Sequence, residues 1–328
     1  MQSFQIEGGN RLAGEIQIQG CKNSTLPLLA ATILSKGETI LTNCPRLSDV
    51  YSACRILTYL GCKCKFRDNI ISVNAVTLNE FDVPENLMCE MRSSIIFLGA
   101  ILGRHGECKI SFPGGCELGP RPIDLHISAL KKMGVKVKEE FGIMECKVEN
   151  ELHGAKIMLP FPSVGATENV MLAAVLAKGE TEIINAAREP EILDLANFLN
   201  ASGAKIFGAG KGNIVISGVE NLTACQYEVM PDRIAAITYL SAAAITGGEL
   251  NLTGLNPKDL EAVVPVFEEM GCYVYSYFNN IYISAKTALK PVKIIRTMPY
   301  PAFPTDAQAP VMAALTKARG PSVVVENI

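Results

Sequence analysis

The chain of 328 residues carries 30 basic and 33 acidic side chains, a formal net charge of −3, and 48% apolar residues. A chain of this length and apolar content can bury the cores of two globular domains. Because charges of both signs are mixed along the chain, we expect no basic surface for nucleic acid or for a membrane.

The eleven cysteines are odd in number and irregularly spaced, and no Cys-x-x-Cys pair occurs. We therefore expect reduced thiols, no disulfide framework and no structural zinc. The first nine residues, MQSFQIEGG, lack the charged start and apolar core of a signal peptide. The longest apolar run, residues 234–246, is too short to span a bilayer. These features predict a soluble, cytoplasmic protein without membrane insertion.

Two sequence patterns recur about every 70 residues, which indicates internal duplication. In the first, a helix ends in a Leu-Gly, Met-Gly or Ser-Gly pair before a β-rich run, at Gly61, Gly134, Gly203 and Gly271. In the second, an Ala-rich and Leu-rich helix is followed by Gly and a strand. Its segments are 25–41, 93–110, 167–184, 232–252 and 306–325. Since each unit also opens with two strands and a polar loop, the predicted unit is β-β-α-β-α-β.

The two helices of a predicted unit differ in their apolar pattern. The first helices, such as residues 26–34 (LPLLAATIL), are apolar on all sides, which predicts complete burial. The second helices, such as residues 261–271 (EAVVPVFEEMG), are amphipathic and can face water. This contrast predicts an α/β fold with sheets outside and helices inside. The chain ends after SVVVENI (322–328), where a second helix should follow, so we expect the fifth unit to be unfinished.

The polar loop before each first helix contains the unusual polar residues of its unit. They are Lys22 and Asn23, Arg92, residues 163–169, Asp232 and Arg233, and Thr305 and Asp306. Because these loops are equivalent in the repeat, each should lie beside a helix N-terminus, where anions bind.

The alternative is that these residues only cap helices, and residues 305–308 (TDAQ) fit a capping box. Capping does not account for Lys22, Arg92 and Arg233, since a cation is unfavourable at a helix N-terminus unless an anion lies beside it. We therefore favour an anion site.

The most distinctive loop is PGGCELGPRPIDLH, residues 113–126. Three glycines and three prolines within it cannot continue a helix or a central strand. We predict a shaped functional loop in which glycines leave the Cys116 thiol uncovered and Arg121 stabilises a thiolate or a bound anion. The alternative is an inert, buried cysteine in a plain connection.

Seven motifs together resemble the UDP-N-acetylglucosamine enolpyruvyl transferases, in order over the whole chain. They are CKNSTLPLLAAT (21–32), MRSS (91–94), PGGCELGPRPIDLH (113–126), SVGATEN (163–169), NAAREPEI (185–192), PDRI (231–234) and PYPAFPTDAQ (299–308). The resemblance implies two inside-out α/β domains of three repeats each. Residues 21–229 would form the first domain, and residues 1–20 with 230–328 would form an incomplete second domain.

The resemblance also implies a reaction without cofactor or metal. The sugar 3′-hydroxyl adds to C2 of phosphoenolpyruvate, C3 is protonated, and the tetrahedral intermediate loses phosphate, in the first committed step of peptidoglycan synthesis. Lys22 and Arg121 would hold phosphoenolpyruvate. Cys116 would be the general acid and the thiol that forms covalent adducts with phosphoenolpyruvate and fosfomycin, and Asp306 would take the hydroxyl proton. The implied contacts with UDP-N-acetylglucosamine are Lys22, Asn23, Arg92, Arg121, Pro122, Ile123, Asp124, Leu125, Ser163, Val164, Gly165, Asp306 and Ile328.

Three departures from the family pattern keep other readings open. Residues 233–238 are RIAAIT where the family has a polar segment, Ala302 replaces a usual Gly, and family members continue for roughly another repeat and a quarter. We therefore expect this chain alone to turn over at least about a thousandfold more slowly than one of six repeats. The alternative is a silent fragment or paralogue that binds the nucleotide sugar. An enzyme acting on shikimate 3-phosphate ranks last, because that family lacks the Gly-Gly-Cys motif.

Overall fold

The computed structural model describes residues 3–112 and 123–328. Contacts divide the chain into two compact units. The continuous unit is Gly20–Met230, and the split unit combines Met1–Gln19 with Pro231–Ile328. We propose that these units are the two domains expected from the sequence.

Within the two described ranges the chain forms ten α-helices and twenty strands. The helices are α1 (Lys22–Ala31), α2 (Ser48–Tyr59), α3 (Glu85–Glu90), α4 (Ile96–His105), α5 (Asp124–Lys132), α6 (Val164–Ala174), α7 (Pro190–Ala201), α8 (Arg233–Thr246), α9 (Val264–Glu269) and α10 (Gln308–Leu315). The strands are β1 (Ala13–Gln17), β2 (Ser35–Lys36), β3 (Glu38–Thr42), β4 (Lys63–Arg67), β5 (Ile70–Asn74), β6 (Asp82–Val83), β7 (Glu107–Ser111), β8 (Val135–Glu140), β9 (Ile143–Val148), β10 (Lys156–Met158), β11 (Glu180–Ile184), β12 (Lys205–Phe207), β13 (Asn213–Ser217), β14 (Leu222–Thr223), β15 (Gln226–Glu228), β16 (Glu249–Thr253), β17 (Tyr273–Tyr277), β18 (Asn280–Ser284), β19 (Ile294–Arg296) and β20 (Val323–Val325). Four 3₁₀ helices are Thr32–Leu34, Arg92–Ile95, Pro257–Leu260 and Thr305–Ala307.

The continuous unit contains the same four-stranded sheet three times. The strand orders are β15-β3-β5-β4, β6-β7-β9-β8 and β10-β11-β13-β12. In each sheet the first pair is parallel and the other two pairs are antiparallel. A two-stranded pair, β14-β2, adds to this unit. The recurrence of one topology confirms the internal repeat expected from the sequence.

The split unit contains a fourth sheet of the same topology, β1-β16-β18-β17, and the parallel pair β19-β20. The run β9-β10-α6-β11-α7-β12 follows the predicted β-β-α-β-α-β order, and other units add short elements to it, such as α3 before α4 and β14 before β15. The structure adds that the two opening strands of a unit, such as β9 and β10, belong to different sheets.

The first helices of the units in the continuous unit, α1, α4 and α6, lie in its core, as the apolar pattern predicts. All residues from Ser24 to Ala31 in α1, from Ile96 to Leu102 in α4 and from Ala166 to Ala174 in α6 are buried. The second helices α2, α5 and α7 bury only one face. Helices α4 and α6 approach closely because α4 has Gly99, where a Cβ would lie 2.2 Å from the Asn169 carbonyl oxygen.

The four glycines that mark the repeat end their helices as expected. Gly61, Gly134, Gly203 and Gly271 have φ between 91° and 101°, a region that favours glycine. Each unit has its own apolar core. In the part of the chain that the structure describes, no helix has both the length and the apolar character needed to cross a bilayer.

Candidate substrate-binding site

Lys22 and Asn23 are the first two residues of α1, and both side chains are partly exposed. The Lys22 ammonium lies 2.9 Å from Oδ2 of Asp49, in the first turn of α2. Asp49 therefore supplies an anion beside Lys22, so the charge of Lys22 does not by itself indicate a bound ligand, and the ligand contact of Lys22 stays a prediction. An ammonium has three donors, and a side chain that is 38% exposed keeps some of them available to a ligand.

The start of α1 is fixed by a buried carboxylate on α7. Asp194 accepts hydrogen bonds from the hydroxyl groups of Ser24 and Tyr227 and from the Met230 backbone N–H. Burial raises the pKa of Asp194, and these three donors oppose that shift by stabilising the carboxylate. Lys22 and Asn23 are thus held on a rigid frame.

Arg92 opens the 3₁₀ helix Arg92–Ile95, which leads directly into α4. Its side chain is half-buried. The following residues are anchored, since Ser94 is fully buried and its hydroxyl donates to the Met88 carbonyl at 2.8 Å. Arg92 therefore lies at the start of the first buried helix of its repeat, in the place equivalent to Lys22.

Residues 163–165 form the start of α6. Ser163 is the N-cap, and its hydroxyl accepts a hydrogen bond from the Ala166 N–H at 3.3 Å. Thr167 donates its hydroxyl to the Ser163 carbonyl and accepts from the Ala187 N–H. Val164 and Gly165 remain partly exposed. A capped helix start of this kind presents backbone N–H groups to an anionic or polar ligand.

Residues 123–125 form the start of α5. Ile123 is the N-cap residue, Asp124 is exposed in the first turn, and Leu125 is half-buried. The next residue, His126, is buried and lies against Gly165, where a Cβ would be 3.0 Å from the imidazole Cε1. The structure therefore brings the predicted segments 123–125 and 163–165 together.

Sequence reasoning missed a buried polar pair beside these segments. His126 Nδ1 lies 2.7 Å from the side-chain nitrogen of Asn169, and both residues are buried. Burial lowers the pKa of His126 to about 4, so the imidazole is neutral at physiological pH. The only sequence signal is an Asn inside an apolar helix, which predicts a buried partner but does not identify it.

Sequence reasoning also missed a buried acidic group. Glu168 on α6 is only 3% exposed, and burial raises its pKa well above the ordinary value. The charges of Glu191 and Glu189 add to this shift. Cys21, which precedes Lys22, places its thiol 3.8 Å from Oε1 of Glu191. These acids therefore lie close to the helix starts that carry the predicted ligand contacts.

In the split unit the structure brings Asp306 and Ile328 into one neighbourhood. Asp306 is exposed in the 3₁₀ helix Thr305–Ala307. Glu326 accepts hydrogen bonds from the Thr305 hydroxyl at 3.0 Å and from the Ile328 N–H at 2.8 Å. Glu326 also accepts from the Thr297 hydroxyl.

The capping box expected at residues 305–308 is wrong. No side chain caps the 3₁₀ helix Thr305–Ala307 or α10, because the Thr305 hydroxyl bonds to Glu326 instead. At α8 the expected cap is present, since the Asp232 carboxylate accepts from the N–H groups of Ile234 and Ala235. Arg233 is buried, with its guanidinium carbon 5.6 Å from the centre of the Tyr300 ring.

Three predicted site residues, Cys116, Arg121 and Pro122, lie outside the described residues. The predictions for the Cys116 thiol and the Arg121 guanidinium stay predictions. In the sequence all three lie between Phe112 and Ile123, the nearest described residues on either side.

Solved structures show which fold this chain has. The enolpyruvyl transferase NikO from Streptomyces tendae matches 98% of this chain and 76% of its own length, with a TM-score of 0.86 and 22% identity. An EPSP synthase from Acinetobacter baumannii matches 97% of this chain with a TM-score of 0.69 and 18% identity. The fold is therefore that of the enolpyruvyl transferases.

The sequence places the chain within that class. A family model described as EPSP synthase (3-phosphoshikimate 1-carboxyvinyltransferase) matches residues 6–328. A protein of Caldanaerobacter subterraneus subsp. tengcongensis named UDP-N-acetylglucosamine 1-carboxyvinyltransferase 2 is 49% identical over 328 residues, which cover 100% of this chain and 78% of that protein. A UDP-N-acetylglucosamine 1-carboxyvinyltransferase 1 of Symbiobacterium thermophilum is 44% identical over 99% of this chain and 75% of its own length. The chain belongs to the EPSP synthase family, and within it to the UDP-N-acetylglucosamine 1-carboxyvinyltransferases.

Proposed function

We propose that this chain transfers the enolpyruvyl group of phosphoenolpyruvate to the 3′-hydroxyl of UDP-N-acetylglucosamine and releases phosphate. The observation that carries the proposal is 49% identity, over the whole chain, to a protein named for this reaction. The arrangement of the continuous unit supports it, since the described segments of this unit that are expected to contact the nucleotide sugar lie at helix starts.

Nucleotide-sugar binding is proposed for these helix starts in the continuous unit. A diphosphate needs cations and N–H donors, and Arg92 with the N-terminal turns of α5 and α6 offers both. Asn23 supplies an amide that can both donate and accept hydrogen bonds to a sugar. In the split unit, Asp306 and Ile328 are proposed as further contacts. Their proximity supports a common role, because Glu326 bonds both to Ile328 and to Thr305, which precedes Asp306.

In the proposed chemistry, the sugar hydroxyl loses its proton to Asp306 while its oxygen forms a bond to C2 of phosphoenolpyruvate. The electron pair of the C2–C3 double bond takes a proton at C3 from Cys116. The Cys116 thiolate then takes a proton back from C3 as the C2–O bond to phosphate breaks, and the proton on Asp306 leaves with the phosphate. The products are the enol ether and inorganic phosphate. Lys22 and Arg121 act as cations on phosphoenolpyruvate, whose negative charge is present throughout.

We also propose a cytoplasmic location and no nucleic-acid partner. Two features support this proposal. The net charge is −3, and surface lysines pair with acids, as Lys109 does with Glu145 and Lys147 with Glu107. Paired charges at these described positions do not add up to the positive surface that a nucleic acid needs.

A phosphate-release assay with phosphoenolpyruvate and UDP-N-acetylglucosamine tests the function, with shikimate 3-phosphate as the alternative acceptor. With phosphoenolpyruvate present, we expect phosphate release when UDP-N-acetylglucosamine is the acceptor and none when shikimate 3-phosphate is the acceptor. We expect Cys116→Ala to abolish this release. Calorimetry on the same protein should show that Arg92→Ala weakens UDP-N-acetylglucosamine binding by about tenfold or more. Heat of binding without phosphate release would instead identify a silent binding protein. Release with shikimate 3-phosphate only would refute the proposed acceptor.

A further inference from the structure

One buried side chain, Asn169 of α6, bonds to two other elements of the continuous unit. Its oxygen accepts from the Gly99 N–H at 2.6 Å, and its nitrogen donates to the Ile95 carbonyl at 3.0 Å. Ile95 and Gly99 are four residues apart, and in a regular α-helix these two groups bond to each other. The Asn169 amide therefore bridges the first turn of α4, directly after the 3₁₀ helix that begins at Arg92.

The second hydrogen of the same amide reaches α5. The Asn169 nitrogen lies 2.7 Å from Nδ1 of His126. Because the Asn169 oxygen already accepts from Gly99, the amide orientation is fixed and its nitrogen must donate. His126 Nδ1 is then an acceptor, and the ring proton of the neutral imidazole is on Nε2.

The Cε1–Nε2 edge of the imidazole faces the start of α6. A Cβ at Gly165 would lie 3.0 Å from Cε1 and 3.3 Å from Nε2 of His126. The ring thus fills the space beside Gly165, and only a residue without a side chain fits there without displacing the ring. The edge of the imidazole is therefore the contact between the start of α5 and the start of α6 at Gly165.

We infer that His126, oriented by Asn169, is a positioning residue that sets the relative placement of three ligand-binding segments: Arg92, residues 123–125 and residues 163–165. The inference rests on the proposed function for the identity of the ligand, UDP-N-acetylglucosamine. His126 itself is buried at 7% exposure and acts through the backbone of its neighbours. Displacing these segments by about 1 Å is enough to weaken a bound geometry substantially.

Two His126 variants separate its hydrogen bond from its volume. His126→Phe keeps a ring but removes the acceptor, which leaves one Asn169 hydrogen unpaired in the core. His126→Asn places an oxygen acceptor near the position of Nδ1 and restores the bond to Asn169. His153→Asn is the matched control, since His153 is exposed.

A third variant approaches the same contact from the other side. Gly165→Ala places a methyl group against the ring edge, so it should displace the helix start without changing His126. Because Gly165 is itself an expected ligand contact, the variant is also made in the His126→Asn background, where the Cε1 and Nε2 atoms are absent. Its effect should be smaller there, and an equal effect in both backgrounds would count against the contact.

The affinity for UDP-N-acetylglucosamine, kcat, the KM of each substrate and Tm are measured for every variant. We expect His126→Phe and Gly165→Ala to weaken nucleotide-sugar binding by about tenfold, with the KM for phosphoenolpyruvate changed less than about threefold. His126→Asn should recover part of the loss. If binding of both substrates weakens by the same factor, in step with the fall in Tm, the positioning role is overturned and His126 has only a structural role.

Nitrogen-15 NMR of the imidazoles gives a readout that does not depend on activity. The chain has three histidines, so comparison with His126→Phe assigns the His126 signals. We expect a protonated Nε2 and an unprotonated Nδ1, and the opposite tautomer would overturn the inference. If the wild-type protein binds no UDP-N-acetylglucosamine, the proposed function fails together with this inference. If the wild-type protein binds UDP-N-acetylglucosamine but the variants change the binding of both substrates equally, only the inference fails.

Discussion

Replacing Glu168 by Gln should stabilise the continuous unit at neutral pH, because Glu168 is a buried acid beside two others. Its pKa is raised well above 4.5 by burial first, and then by the charges of Glu191 and Glu189. Between pH 4.5 and the raised pKa, the folded chain keeps a proton that the unfolded chain has lost. The free energy of unfolding therefore falls as pH rises through this window.

The magnitude follows from the linkage between protonation and stability. Each pH unit above 4.5 costs about 1.4 kcal/mol as long as the folded carboxyl stays protonated. Gln has nearly the same shape and does not titrate, so it removes this cost. The advantage of Glu168→Gln in Tm should therefore grow by roughly 3 to 6 °C per pH unit for a unit of this size.

Denaturant or thermal unfolding of Glu168→Gln and of the wild type, between pH 4.5 and pH 8, tests this reasoning. The difference in stability should be near zero at pH 4.5 and grow toward neutral pH. Glu180→Gln is the control, since Glu180 is exposed. A difference that does not depend on pH, or a variant that is less stable at pH 7, would mean that Glu168 is ionised in the fold.

Three further predictions follow from contacts described above. Gly99→Ala should destabilise the protein by about 1 to 3 kcal/mol in chemical unfolding, because the new Cβ would lie 2.2 Å from the Asn169 carbonyl oxygen. An unchanged unfolding midpoint would contradict the close packing of α4 and α6. Cys116 should react with iodoacetamide faster than any other thiol in peptide mapping, with exposed Cys89 as the main competitor; even labelling of all thiols would refute a reactive Cys116. As pH falls from 6.5 toward 4, the wild type should lose stability relative to His126→Phe, because the unfolded imidazole binds a proton that the buried ring does not, and parallel pH profiles would contradict this.

The repeat made much of the fold predictable from sequence. Glycine spacing located the helix ends, and helices that are apolar on all sides predicted the buried layer, because both properties are local. The sequence also correctly predicted that polar loops precede the buried helices. Lys22, Arg92 and Ser163 all lie at such helix starts.

The contacts of individual polar side chains could not be predicted, since each depends on a distant partner. Lys22 pairs with Asp49, 27 residues away, and His126 with Asn169, 43 residues away. The capping box at Thr305 failed for the same reason, because Glu326 competes for the Thr305 hydroxyl across 21 residues. Local patterns cannot show which of two acceptors a hydroxyl will reach.

The connectivity of the split unit imposes an order on its synthesis. Strand β1 pairs with β16, and the Glu15 and Asn251 side chains that meet across this pair are 236 residues apart. At about 5 to 20 residues per second, the ribosome needs roughly 10 to 50 s to deliver the partner of β1. The continuous unit has all its strands by Glu228, so it can close first while the nascent N-terminal segment, with Phe4 and Ile6 exposed, still awaits β16. A chaperone acting during translation would therefore meet this segment before any other part of the split unit.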